Sequence, residues 1–190
     1  MMLELHNVIL KPLRQSVSLT VSDGQLACIC GPKGAGKTAV LRAVMGMLPI
    51  DGGHISIDGE LLTPLSAPYF RKQMGYVPSR LVPLPGQDRV CDVQQQLLAL
   101  GANRQLRLET EDDRPWQSLT VEERYLVLAD CVVRQQRRLV LMDEPETLLS
   151  EEAAMEVVGL LRELSNAGAA VLMVSNQQTI LNMTNNIIEL

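Results

Sequence analysis

The stretch Gly31-Pro32-Lys33-Gly34-Ala35-Gly36-Lys37-Thr38 satisfies the phosphate-binding pattern G-x-x-x-x-G-K-[ST] at each fixed position. The apolar run 26–30 leads into it and the run 39–45, with helical character, leads out, which is the strand, loop and helix context the pattern requires. Main-chain N–H groups of such a loop turn inward on phosphate oxygens, and the start of the following helix adds partial positive charge at the same point. Lys37 is expected to bridge the β- and γ-phosphates and Thr38 to hold Mg²⁺. A second set of residues could complete that chemistry. Asp143-Glu144 closes the apolar run Leu139-Val140-Leu141-Met142, and carboxylates at the C-terminal end of a buried strand sit where α/β sheets place ligands. Asp143 is expected to reach the metal through water, and Glu144 to act as general base on an attacking water.

These groups need a frame that brings positions about a hundred residues apart together. Residues 3–10 alternate apolar and polar at first and 16–21 alternate throughout, predicting half-buried antiparallel strands. Asp23-Gly24 predicts a turn into the strand before the phosphate loop. Asp51-Gly52-Gly53 predicts another turn, followed by a short strand over 54–59. Thr120 and Glu123 form a capping box ahead of Tyr125, Leu128, Ala129 and Val132, so a helix should begin near Thr120. The continuous apolar runs 139–142 and 169–174 read as parallel strands covered on both faces, and a helix from Glu151 to about Leu164 is closed by Gly168. Ile187-Ile188 is a candidate for a last strand.

From Pro64 to Trp116 prolines at 64, 68, 78, 83, 85 and 115 punctuate short helical pieces such as Val93–Leu100. This middle stretch reads as an inserted helical subdomain, with a loop-rich alternative for residues 101–117. Strands alternating with helices after the phosphate loop imply a mostly parallel core sheet, with a small antiparallel sheet beside it.

A net charge of −5, from 17 Lys and Arg against 22 Asp and Glu without clustering, argues against a phosphate-neutralising face for DNA or RNA, so no nucleic-acid partner is expected. Cys28, Cys30, Cys91 and Cys131 lack metal-site spacing and read as buried free thiols of a reducing compartment. No basic-then-apolar leader opens the chain and no apolar run reaches membrane-spanning length. The expected location is cytoplasmic, with any membrane role supplied by a partner.

Gly31 to Thr38, Met74-Gly75-Tyr76-Val77-Pro78, and Leu139 to Pro145 followed by Thr147-Leu148-Leu149-Ser150 resemble, in order and over nearly the whole chain, the ATPase subunits of ATP-binding cassette (ABC) transporters. The resemblance implies an α/β P-loop NTPase fold of ABC type: one domain, with a β-subdomain and nucleotide-binding core from about 1–78 and 136–190 and a helical subdomain over about 79–135. It implies ATP and Mg²⁺ as cofactors, a second ATPase subunit, identical or not, and transmembrane subunits that hold the chain at the inner face of the membrane. In that family two subunits sandwich two ATP molecules, each lying between one phosphate loop and the other subunit's L-S-G-G-Q signature.

Several positions depart from the family pattern. The glutamine expected after Val77-Pro78 is Ser79, too short to act in the family's manner, and the histidine expected after Val174-Ser175 is Asn176, which carries no positive charge. Ser150 replaces an aspartate. The signature region reads Leu119-Thr120-Val121-Glu122-Glu123, putting Val121 and Glu122 where the family has glycines; a register one residue earlier finds no glycine either. Glu122 would then bring a carboxylate toward a γ-phosphate unless it swings away. No aromatic precedes the phosphate loop to stack on a base, leaving Ile9 or Leu10 as apolar contacts. Tyr69, Phe70 and Trp116 are candidates to line the groove in which the family docks its membrane subunits.

The function implied is an ATP-binding subunit that couples binding and slow or partner-dependent hydrolysis to a membrane partner. The alternative is a regulatory or scaffold module of such a complex with little or no hydrolysis. A P-loop kinase or GTPase fits less well, because there is no Asn-Lys-x-Asp guanine motif and no Arg-rich lid.

Overall fold

The structure, a computed structural model, describes residues 2–11, 15–81, 89–99 and 114–190. The elements in chain order are β1 Leu3–Ile9, β2 Val17–Val21, β3 Leu26–Cys30, α1 Lys37–Val44, β4 Gly52–Ile57, β5 Glu60–Leu61, α2 Ala67–Arg71, β6 Met74–Val77, α3 Val90–Ala99, α4 Val121–Arg134, β7 Leu139–Asp143, α5 Glu151–Asn166, β8 Ala170–Val174, α6 Gln178–Leu181 and β9 Asn186–Glu189. Pro83, Pro85, Leu100 and most of the 101–117 stretch, whose loop or helical character the composition left open, lie outside the described residues.

Two sheets form. The small one runs β2-β1-β4-β5 and is antiparallel; the large one runs β6-β7-β8-β3-β9 and is parallel throughout. In the small sheet period-2 patterning holds: Val17, Leu19 and Val21 are buried, while Ser18 and Thr20 face out. The predicted turn at 51–53 is shorter than expected, because Gly52 and Gly53 open β4 instead. Gly53 has φ +74°, and a Cβ there would lie 2.2 Å from the Asn7 carbonyl oxygen, so glycine serves the close approach of two backbones at a register shift in β1.

The parallel strands explain their own apolar runs. Ala27, Ile29, Leu139, Leu141, Leu172 and Val174 face one core, shared with the antiparallel sheet and with Val40, Leu41 and Val44 of α1. Their alternates, among them Leu26, Cys28, Val140, Met142, Val171 and Met173, face a second core under α4, α5 and α6. Each fully buried Leu, Ile or Val contributes about 1.5–3 kcal/mol, so both faces favour this strand register over a one-residue slip.

The strand order positions the site. With β6, β7, β8 and β3 adjacent and parallel, the residues just past their C-terminal ends fall on one edge of the sheet: Ser79, Glu144, Ser175 and Gly31. Val77 pairs with Met142 and Asp143 with Val174, so the exits are level. The last strand, β9, pairs in parallel with β3 and places Leu190, whose N–H donates to Cys30, under the phosphate loop.

Candidate nucleotide site

Past β3 the chain turns at Gly31, φ +143°, where a Cβ would meet the Leu190 carbonyl oxygen at 2.5 Å; the tight seat of the loop on β9 therefore requires glycine. Gly36, left-handed, is the N-cap of α1, and α1 has neither a side-chain cap bond nor an acid in its first turn. Its backbone donors are left for an anion. Lys37 is only 4% exposed and curls back over the loop. Its Nζ donates to the Gly31 carbonyl at 2.8 Å and to that of Pro32 at 3.3 Å, and lies 3.5 Å from Oε1 of Glu144.

Thr38 donates its hydroxyl to the Asp143 carboxylate, 3.0 Å from one oxygen and 3.1 Å from the other. Ser79 donates to the same carboxylate at 3.1 Å. Asp143 is 1% exposed, and burial raises its pKa; hydrogen bonds from Thr38 and Ser79 oppose the shift, while the neighbouring Glu144 charge adds to it. A buried carboxylate held by neutral hydroxyls is a site where a cation would be well received. Glu144 follows in left-handed backbone, φ 43°, its N–H bonded to Val174 O at 2.9 Å; holding a non-glycine residue there costs about 1–2 kcal/mol.

At the exit of β8, Asn176 accepts the Gly31 N–H on its Oδ1 at 2.9 Å. Two residues that the motifs did not single out prepare this contact: Oε1 of Glu146 accepts from Ser175 Oγ at 2.9 Å and from the Asn176 N–H at 3.0 Å. The only signal in sequence was an acid two positions beyond Glu144. Glu144 and Glu146, flanking Pro145, thus hold the phosphate loop from opposite directions, one through Lys37 and the other through Asn176.

The start of α4 is arranged differently. Thr120 Oγ1 accepts from Glu123 N at 3.1 Å and Glu123 Oε2 accepts from Thr120 N at 2.8 Å, completing the predicted capping box, while Arg114 pairs with Glu123 at 3.2 Å. Glu122 has swung away from the open face of the helix end. Its Oε1 accepts both from Ser150 Oγ at 2.7 Å and from Ser150 N at 3.0 Å, and these bonds lower its pKa. Ser150 also caps α5, accepting from Ala153 N at 3.4 Å. Val121 is exposed.

Two contact expectations, those for Leu10 and Phe70, are corrected. Leu10 is in the core at 1% exposure and unavailable to a base, whereas Ile9 is exposed. Tyr69 is exposed, Phe70 is buried against the antiparallel sheet, and Trp116 lies under the Arg124 guanidinium at 5.9 Å. A groove beside β6, a space of about 430 Å³, is lined by residues that include Met74, Tyr76, Leu128, Val132, Arg71 and Lys72. The helical pitch of α2 directs Phe70 inward and Tyr69 outward, leaving Tyr76 of β6 as the aromatic there. The four cysteines are free, Cys30 half-buried and the others buried. No helix among the described residues is long and apolar enough to cross a membrane, and none of their His, Cys, Asp and Glu side chains form a cluster of three or more able to hold a metal.

Residues 14–147 match the family model described as ABC transporter. The chain belongs to the ABC transporter family. Among its relatives, an uncharacterized ABC transporter ATP-binding protein of Haemophilus influenzae is 29% identical, covering 90% of this chain and 73% of the relative. The zinc import ATP-binding protein ZnuC of Pseudomonas fluorescens is 30% identical over 85% of this chain and 61% of its own length. The lipopolysaccharide export system ATP-binding protein LptB of Escherichia coli is 28% identical over 83% and 71%. In fold, this ABC transporter chain matches the structure of an ATP-binding subunit of an ABC transporter with a TM-score of 0.84 at 20% identity, covering 100% of this chain and 86% of that one. It also matches a dimeric post-hydrolysis ATP-binding cassette bound to ADP and Pi, with a TM-score of 0.78 at 19% identity, over 99% and 94%. The expected fold and the expected membership, an ATP-binding subunit of an ABC transporter, are both borne out.

Proposed function

We propose that this chain binds Mg-ATP on the loop Gly31 to Thr38 and couples that binding, with slow or partner-dependent hydrolysis, to membrane-embedded partner chains. The observation that carries the reading is the meeting of Thr38 with Asp143 and of Lys37 with Glu144, groups from motifs 105 or more residues apart. Lys37 would exchange its carbonyl partners for phosphate oxygens, and the uncapped start of α1 would direct N–H groups to the same charge. Thr38 and Asp143 would hold the magnesium: both offer hard oxygen donors, and the buried Asp143 carboxylate is hydrogen-bonded by the neutral hydroxyls of Thr38 and Ser79. When bound, the ion would screen the phosphate charge. Glu144 would take the proton from the attacking water, with the Lys37 ammonium 3.5 Å from its carboxylate.

Slow turnover follows from what the neighbouring positions do. Ser79 spends its hydroxyl on Asp143, Asn176 is neutral and engaged with Gly31, and the start of α4 carries two acids. We place the chain at the inner face of a membrane, as one domain with the β-subdomain and core at about 1–78 and 136–190 and a helical part at about 79–135. It would pair with a second ATPase subunit, identical or not, and the groove at Tyr76 is the surface offered to a transmembrane subunit.

A regulatory or scaffold role with little hydrolysis is the second reading, and the replacement of the signature glycines by Val121 and Glu122 favours it. Steady-state turnover and calorimetry on the isolated protein separate the two. The coupling reading expects Mg-ATP uptake with low turnover that Glu144→Gln abolishes. Uptake without turnover selects the scaffold; rapid turnover lost in Glu144→Gln refutes the slow-enzyme reading; no uptake overturns both.

A further inference from the structure

Gly31 is gripped at both ends of its peptide. Its carbonyl accepts from Lys37, and its N–H donates to Asn176 Oδ1. The two grips are unequal in durability, because a triphosphate would draw Lys37 away, leaving Asn176 as the side-chain tether of the loop's first residue. Asn176 in turn is fixed by its own backbone, whose N–H is held by Glu146, and by Ser175, whose hydroxyl donates to Glu146 while accepting from Gln177 N at 3.1 Å. Glu146 is therefore the anchor of a relay that runs from the exit of β7, through the exit of β8, to the phosphate loop. The carboxylate is retained at some cost: its Oε2 is buried without a hydrogen-bond partner among the described residues. An acid beside a site for a polyanion would ordinarily be adverse. A positioning function accounts for its presence where charge does not.

We propose that Glu146 is a positioning residue for the phosphate loop, acting through Ser175 and Asn176 on the Gly31 amide. It touches neither the phosphates nor the metal in this role. The inference rests on the Mg-ATP reading of the site, and it makes Glu146 a determinant of nucleotide affinity.

The test is calorimetric titration of the full chain with Mg-ATP, with the Gly31 amide followed by ¹⁵N NMR without nucleotide. Glu146→Ala is expected to weaken binding about tenfold, the loss of one charge-assisted hydrogen-bond anchor, and to shift the Gly31 amide resonance. Glu146→Gln, whose side-chain oxygen still accepts from Ser175 and Asn176, should stay within about twofold and leave that resonance in place. Asn176→Ala should match Glu146→Ala, and the double variant should be no weaker than either single one. If Glu146→Ala does not fold, Asn176→Ala and Ser175→Ala carry the same comparison, and unchanged affinity in both overturns the proposal. Tighter binding in both Glu146→Ala and Glu146→Gln would mean that the carboxylate acts by repulsion, which also overturns it. Uptake by the unaltered chain that Glu146→Ala leaves unchanged refutes this inference alone; absence of uptake by the unaltered chain takes down the reading of the site as well.

Discussion

Two helix starts in this chain are furnished in opposite ways. The first, at α1, is entered through a left-handed glycine, has no side-chain cap and carries no acid in its first turn. The second, at α4, has a full capping box and places Glu122 and Glu123 in its first turn. Both helix ends carry the same partial positive charge of about half a unit. At α1 that charge and its free N–H donors remain available to an outside anion, and Lys37 is held beside them by bonds a phosphate can replace. At α4 two donors are already met by the chain itself, the Glu123 N–H by the Thr120 hydroxyl and the Thr120 N–H by the Glu123 carboxylate, and Glu122 is turned onto Ser150. An anion site is therefore kept open by leaving a helix end unsatisfied. Supplying the best local cap closes it.

The comparison can be broken at several points. The largest effect is expected at α1, where Lys37→Ala should weaken Mg-ATP binding about 100-fold or more by calorimetry, since a charge-assisted contact from a buried lysine to a polyanion is lost. Retained affinity would show that α1 is not the anion site. At α4, Glu122→Ala removes both the acid and its hold on Ser150. ATP-dependent self-association and turnover should rise several-fold if the Glu122 acid at this helix start is what restrains the chain. No change in light scattering or turnover would separate slow hydrolysis from the α4 acids.

A smaller effect concerns stability. Asp143 holds its proton more tightly in the fold than in the unfolded chain, so a rise in pH from the ordinary aspartate value through its raised one costs the nucleotide-free protein stability. Asp143→Asn should remove that slope and raise the melting temperature of the nucleotide-free protein at neutral pH, while abolishing magnesium-dependent binding. An Asp143→Asn protein that melts lower would mean that the carboxylate stabilises the free fold. Least of all, Ser150→Ala should lower the melting point by about 2–4 °C through loss of the α5 cap. It should also leave Glu122 titrating closer to an ordinary glutamate, an effect visible by NMR as pH falls through the lowered value that Ser150 now maintains.

The phosphate loop, the apolar strand ahead of it, the capping box and the buried runs of β7 and β8 were legible because each is a local pattern with a local cause: glycine torsions, cap geometry, burial on two faces. The corrections share a different cause. Leu10 and Phe70 went inward because neighbouring elements covered them, and Gly52 and Gly53 joined a strand because β1 came close enough to need them. Glu146 went unread because nothing within its own segment distinguishes it; its partners lie 29 and 30 positions later.

What sequence alone determined was the loop, the capping box and the list of groups proposed to hold a triphosphate and its metal, since motif spacing dictates main-chain torsions over a few residues and those torsions are set by local sterics. Which carboxylate faces the site and which is spent inside the chain was decided only in three dimensions. The order β6-β7-β8-β3 placed Ser79, Asp143, Glu146 and Asn176 along one edge, and the approach of α4 to α5 gave Glu122 the donors of Ser150. A charged side chain goes where its hydrogen bonds are, and for these residues the partners come from other elements of the fold.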